Sequence, residues 1–153
     1  MKKIAIAIIS VAILIGFAGM QRAEAQCKQQ MVYKCATDGG NAIYLRDFNT
    51  KLNKLRAGEV DPGTKWTVVL NSGTRYRFIL CTPPGLESQV ELTLFDGQHP
   101  EENPWLKTEE GRNVNDYVCR RSGMYYVSIK WKEGFGDQKT CAVGILSFVG
   151  KNQ

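Results

Sequence analysis

Apolar and polar residues alternate in short runs over most of this 153-residue chain, and Gly, Pro, Asn and Asp punctuate the runs. A period of two sends successive side chains to opposite faces of a strand, so each run can bury one face and solvate the other. Residues 65–70 and 75–81 alternate in this way. So do residues 89–95, where Val90, Leu92 and Leu94 share a face before the turn Asp96-Gly97. In 123–131, Tyr125, Val127, Ile129 and Trp131 fall on one face, and Met124, Tyr126, Ser128 and Lys130 on the other. Residues 141–149 are apolar on both faces, with Cys141, Val143 and Ile145 opposite Ala142, Leu146 and Phe148, which predicts an interior strand. Met31-Val32-Tyr33-Lys34-Cys35 reads as a further strand. Tyr44, Phe48, Leu52 and Leu55 fit a helical stripe, yet Phe48 and Leu52 also fit one side of a strand. Asn49, Thr50 and Asn53 are poor helix-interior residues, and Gly58 and Pro62 close the segment, so a strand over 43–52 is preferred. Seven such runs without a clear helix predict an all-β, antiparallel β-sandwich.

The most specific local expectation is a hairpin joining 65–70 to 75–81. A three-residue loop, Asn71-Ser72-Gly73, sets Val68 against Tyr76 and Trp66 against Phe78, with Arg75 and Arg77 on the other face. A one-residue slip would turn every apolar side chain outward, so burial selects this register. It also puts Gly73 at a left-handed position, where a Cβ would clash.

The N-terminus reads as an export leader. Lys2 and Lys3 precede an apolar stretch over 4–20, followed by Ala23-Glu24-Ala25, a small-residue cleavage pattern. The expected division is a signal peptide over 1–25 and a single domain over 26–153, secreted or periplasmic, with no membrane span after cleavage. The chain carries +5, part of it in the leader, and Lys51, Lys54 and Arg56 form the nearest thing to a basic run. So modest and dispersed a surplus argues against a nucleic-acid partner.

The five cysteines all lie beyond Ala25, and an exported chain oxidises them, so a disulfide-stapled domain is expected. No pair has the C-x-x-C spacing of a redox or zinc motif. The candidates for bridging are Cys35, Cys81, Cys119 and Cys141. Cys81 with Cys141 is preferred because both flank apolar strands, and Cys35 with Cys119 comes next. Cys27 is then the odd thiol, since an extended run would hold it too far from Cys35 to pair.

Two stretches resemble a known family. GTRYRFILC (73–81) with VELTLFD (90–96), and SGMYYVSIKW (122–131) with CAVGIL (141–146), are similar to bacterial pre-peptidase C-terminal domains and to stand-alone exported proteins of Bacteroidetes-type bacteria. The resemblance implies a jelly-roll-like sandwich of seven to eight strands. It implies no mechanism.

Candidate chemistry is sparse. His99, the single histidine, lies in a turn-rich loop, and any Ser-His-Asp or Cys-His pair would need it. No Gly-x-Ser-x-Gly elbow accompanies it. Glu101, Glu102, Glu109 and Glu110 flank Trp105, but adjacent carboxylates on a loop point apart. Asp96 with Gln98 or Glu101 lacks calcium-loop spacing. No metal or cofactor is expected. Trp66 and Trp131 lie on strands and read as core. Trp105, in the long connection over 97–115, is the preferred ligand-binding residue, with Tyr117 and His99 beside it. The resulting expectation is a non-enzymatic binding module for a glycan or an envelope protein. The alternatives are a structural or assembly component using an odd cysteine or an edge strand, and a small hydrolase centred on His99.

Overall fold

The computed structural model describes residues 23–98, 103–108 and 112–151, those of 23–28 by their backbone alone. A helix, α1 (Ala23–Thr37), is followed by β1 (Ile43–Leu52), β2 (Thr64–Leu70), β3 (Thr74–Cys81), β4 (Val90–Phe95), β5 (Leu106–Lys107), β6 (Val114–Cys119), β7 (Gly123–Trp131) and β8 (Thr140–Lys151). Among the described residues these strands form two four-stranded antiparallel sheets, ordered β1-β8-β3-β6 and β2-β7-β4-β5. The expected disulfide-stapled antiparallel sandwich is therefore the observed fold.

The interior is built as the alternation requires. Phe48 and Leu52 of β1, Tyr76, Phe78 and Leu80 of β3, and Ala142 and Leu146 of β8 meet Val68 and Leu70 of β2, Leu92 and Leu94 of β4, and Val127 and Ile129 of β7. Trp131 is buried, and its indole N–H donates to the Asn53 carbonyl at 2.9 Å. Trp66 is half-buried, its ring 5.4 Å from that of Phe48. A Cβ on Gly144 would stand 2.9 Å from Leu92 Cδ1 and 3.0 Å from Ile129 Cδ1, so the glycine lets the sheets close at this level. Along one side the sandwich is pinned by a 2.7 Å hydrogen bond between the Thr50 and Thr64 hydroxyls and by Arg46 donating to the Thr67 carbonyl at 3.0 Å. The side bounded by β5 and β6 is open.

The segment 31–35, expected as a strand, belongs to α1. Met31, Val32, Cys35 and Ala36 stand at i, i+1, i+4 and i+5, a single helical face, and they pack on Ile79, Val143 and Ile145. Tyr33 and Lys34 point to solvent. A five-residue apolar run fits either period, and packing on the sheet decided it. The helix also explains why β8 is apolar on both sides: Ala142 and Leu146 face the second sheet, whereas Val143 and Ile145 face α1.

The expected hairpin does not form. β2 pairs with β7 and β3 with β8 and β6, so the turn after Leu70 carries the chain from one sheet to the other. Val68 lies opposite Tyr125 rather than Tyr76, and Trp66 opposite Val127 rather than Phe78. Two strands whose apolar faces meet across a core satisfy the same alternation as two that share a face within one sheet. Gly73 is nonetheless left-handed, with φ of 69°.

Within the 97–115 connection lies the short strand β5, and β6 begins at Val114. The alternation did not mark β6, because Asn115 and Asp116 are poor strand formers. Register supplies the compensation: Asp116 lies opposite Arg77, and the guanidinium donates to both carboxylate oxygens, at 2.7 and 3.0 Å.

The cysteine pairing also differs from expectation. Cys35 is bonded to Cys81, with Cα atoms 5.8 Å apart, which displaces both preferred bridges. The helix lays Cys35 over the outer face of the first sheet, where Cys81 ends β3. Cys119 belongs to the inner core, on the other side of that sheet, and carries a free, buried thiol. Cys141 is disulfide-bonded. The Cys27 side chain, expected as the odd thiol, lies outside the described residues.

The Cys35–Cys81 bridge closes a loop with a sequence separation of 46. In the chain-entropy picture such a crosslink is worth ~4 kcal/mol. Cys35→Ser is therefore expected to lower the free energy of unfolding by about that amount, with the loss read from denaturant midpoints at matched slope.

Candidate functional site

Two places in the fold gather groups able to engage a ligand. The first is the open side of the sandwich. Trp105 and Tyr117, singled out from the sequence, line one cleft of about 360 Å³ together with Lys107, Arg112, Asn115 and Asp116. Trp105 precedes β5, is 42% exposed, and donates its backbone N–H to the Leu94 carbonyl at 2.8 Å. Tyr117 lies on β6, its ring 6.1 Å from that of Tyr125. His99 falls outside the described residues, as do Glu101, Glu102, Glu109 and Glu110. Asp96 is engaged elsewhere: Arg121 Nη2 reaches one oxygen at 2.5 Å and the Gln98 N–H the other at 2.9 Å.

The second place is the end of the sandwich where two Ser-Gly turns meet. One joins β2 to β3 through Asn71, Ser72 and Gly73, and the other joins β6 to β7 through Arg120, Arg121 and Ser122. They are interlocked. The Ser72 N–H donates to Ser122 Oγ at 2.8 Å, the Ser72 hydroxyl to the Arg120 carbonyl at 2.8 Å, and the Gly73 N–H to the Cys119 carbonyl at 2.8 Å. Each turn is also tied by a tyrosine. Tyr76 Oη accepts the Asn71 N–H at 3.0 Å, and Tyr125 donates to the Arg121 carbonyl at 2.7 Å. The Cys119 thiol donates to that same carbonyl at 3.1 Å.

Arg121 is held at both ends. Its guanidinium reaches the buried Asp96 and, at 2.9 Å, the Gln98 side-chain oxygen. The turn that carries it is therefore fixed by contacts within the fold. The exposed flank is apolar: Val69 and Met124, opposite each other in register, are 68% and 61% exposed. Next to them Phe95 and Tyr126 stack with centroids 5.6 Å apart. Arg75 and Arg120 add exposed positive charge at the same end.

Sequence reasoning passed over this end. Its signal was present as two Ser-Gly pairs, Ser72-Gly73 and Ser122-Gly123, with the tyrosines Tyr76 and Tyr125 four and three residues after the serine. What the pattern lacked was any indication that the two turns are spatial neighbours.

Beneath the turns, burial and the neighbouring Tyr117 push the Tyr125 phenol well above its usual range, and burial raises Tyr117 as well. Raised phenol pKa values favour the protonated, folded form. Their stabilising effect is complete below the unfolded tyrosine value of ~10 and is lost as pH rises beyond it. An ultraviolet titration should show these two phenols ionising late, with the thermal midpoint falling as pH passes about 10. At neutral pH, Asp96→Ala removes the acceptor for Arg121 and for the Gln98 N–H. It should cost roughly 1.5–3 kcal/mol and speed amide exchange in the Arg120–Ser122 turn more than in the core strands.

No protein-family model and no curated protein sequence matches the chain. Among solved structures it is similar to PliG of Aeromonas hydrophila, a periplasmic lysozyme inhibitor of g-type lysozyme. The TM-score is 0.51 at 12% identity, over 71% of this chain and 89% of that one. That likeness shows a shared fold. No helix among the described residues is long and apolar enough to cross a membrane.

Proposed function

We propose that this chain is an exported, non-enzymatic protein-binding module that docks on its partner through the interlocked Ser-Gly turns. The observation that carries the reading is the mutual locking of Ser72 and Ser122 beside the exposed Val69–Met124 pair. A preorganised turn pair with an apolar flank supplies what a protein interface needs, a rigid centre that sheds water and polar groups already in place. Arg75 and Arg120 favour a partner that presents carboxylates around its docking site. A leader removed after Ala25 and a periplasmic or extracellular destination suit a domain held by Cys35–Cys81.

The partner class follows from fold-level analogy. PliG inhibits a g-type lysozyme, so inhibition of an enzyme that cleaves cell-wall glycan is the specific form of the reading. The assembly reading loses one of its two supports, because the free thiol of Cys119 is buried and not presented to a partner.

The test is a lysozyme turnover assay on cell-wall substrate, with g-type lysozyme and the chain lacking residues 1–25. The chain should slow turnover stoichiometrically. Val69→Glu with Met124→Glu should weaken inhibition about 10- to 30-fold, the scale of an interface hot spot, while the thermal midpoint stays close to that of the parent. Unchanged turnover and no detectable complex with the lysozyme would remove the inhibitor reading. Undiminished inhibition by the double variant would move the docking surface elsewhere.

A further inference from the structure

The cleft between β5 and β6 belongs to neither turn, and its chemistry differs from that of the docking end. We infer that it is a second binding site, for a short, neutral saccharide of one or two rings. Its walls come from the edge strands of both sheets, with Lys107 on β5 and Asn115, Asp116 and Tyr117 on β6, and Trp105 and Arg112 flank them from the adjoining segments. Its volume, about 360 Å³, lies in the range of small-ligand sites. Trp105 supplies an indole face and Tyr117 a second ring, surfaces suited to the C–H face of a sugar. Around them stand planar or forked polar groups, Asn115, Asp116 and Arg112, which match hydroxyls in pairs.

Lys107 and Asp116, opposite in sign and each ion-paired, favour a neutral ligand, and Arg112 adds a further cation to the lining. Asp116 is held by Arg77, and Lys107 lies 2.8 Å from the buried carboxylate of Glu91, whose other oxygen is 3.7 Å from Lys130. Each of these two cleft residues has its counter-ion outside the cleft. What they present to a ligand is hydrogen-bonding capacity rather than net charge. The same pairs hold the side chains in position, and the Asn115 amide is directed by its 3.4 Å bond to the Arg112 carbonyl. An apolar ligand would strand these polar groups without partners, whereas a polyol satisfies them.

The site is tested by NMR titration of the chain with cellobiose and with diacetylchitobiose. One or both should shift the Trp105 indole N–H and the Asn115 side-chain amide saturably in the millimolar range. Trp105→Ala should weaken that binding at least tenfold, and Trp105→Phe, which keeps a smaller ring face, should fall between it and the parent. If Trp105→Ala does not fold, the Trp105→Phe comparison decides alone. Neither sugar moving these resonances would overturn the inference, as would a variant that titrates like the parent. Inorganic phosphate moving the same resonances in place of the sugars would also overturn it, by making the cleft an anion site. Lysozyme inhibition does not enter the readout, so the two proposals stand or fall separately.

Discussion

Strand β8 is buried on both faces, and the rest of the molecule is arranged to make that possible. Ala142 and Leu146 need a second sheet over them, whereas Val143 and Ile145 need a cover on the other side. The sheet β2-β7-β4-β5 supplies the first and α1 the second. Leu146, Val143 and Ile145 taken out of water each contribute on the order of 1.5–3 kcal/mol, so neither cover is dispensable in a chain of this size. The Cys35–Cys81 bridge lies at the helix-to-sheet contact and removes conformational freedom from the unfolded chain where the smaller cluster has least area to contribute.

With the core closed, the chain's polar strength is concentrated at its margins. Arg77 and Asp116 join β6 to β3, although Asn115 and Asp116 have little intrinsic taste for a strand. Asp96 and Arg121 join the end of β4 to the turn before β7. Below that turn, Tyr125 and Cys119 both donate to one carbonyl, so a reduced thiol has a structural use inside a domain that is otherwise oxidised. These contacts hold the two Ser-Gly turns in one geometry, and Val69 and Met124 beside them turn most of their surface to solvent. Stiff turns beside exposed apolar surface are the physical content of the docking proposal.

The open side follows from the strand order. β1 and β2 close one flank of the sandwich through hydroxyl and guanidinium contacts, and β6 and the two-residue β5 leave the other flank apart. Thr108 covers part of the exposed edge of β4, with its hydroxyl accepting the Leu92 N–H at 3.0 Å and its own N–H reaching the Leu92 carbonyl at 3.0 Å. The edge is thereby shielded against adventitious strand pairing while the cleft beside it stays accessible.

Local periodicity determined much of this fold. The strands over 43–52, 65–70, 75–81, 89–95, 123–131 and 141–149 were legible because alternation is a property of adjacent residues. The interior place of β8 was legible because no solvated strand is apolar on both faces. Trp105 and Tyr117 were legible as ligand-facing candidates, although nothing local said that one cleft would hold them both. Tertiary structure alone decided that 31–35 is helical, that β2 and β3 lie in different sheets, that Cys35 meets Cys81, and that two Ser-Gly turns touch. The reason is common to all of these. A period of two tells which side chains share a face, but an apolar face is satisfied equally by a neighbour in its own sheet, by a facing sheet or by a helix. The choice among them depends on which combination buries all the faces at once.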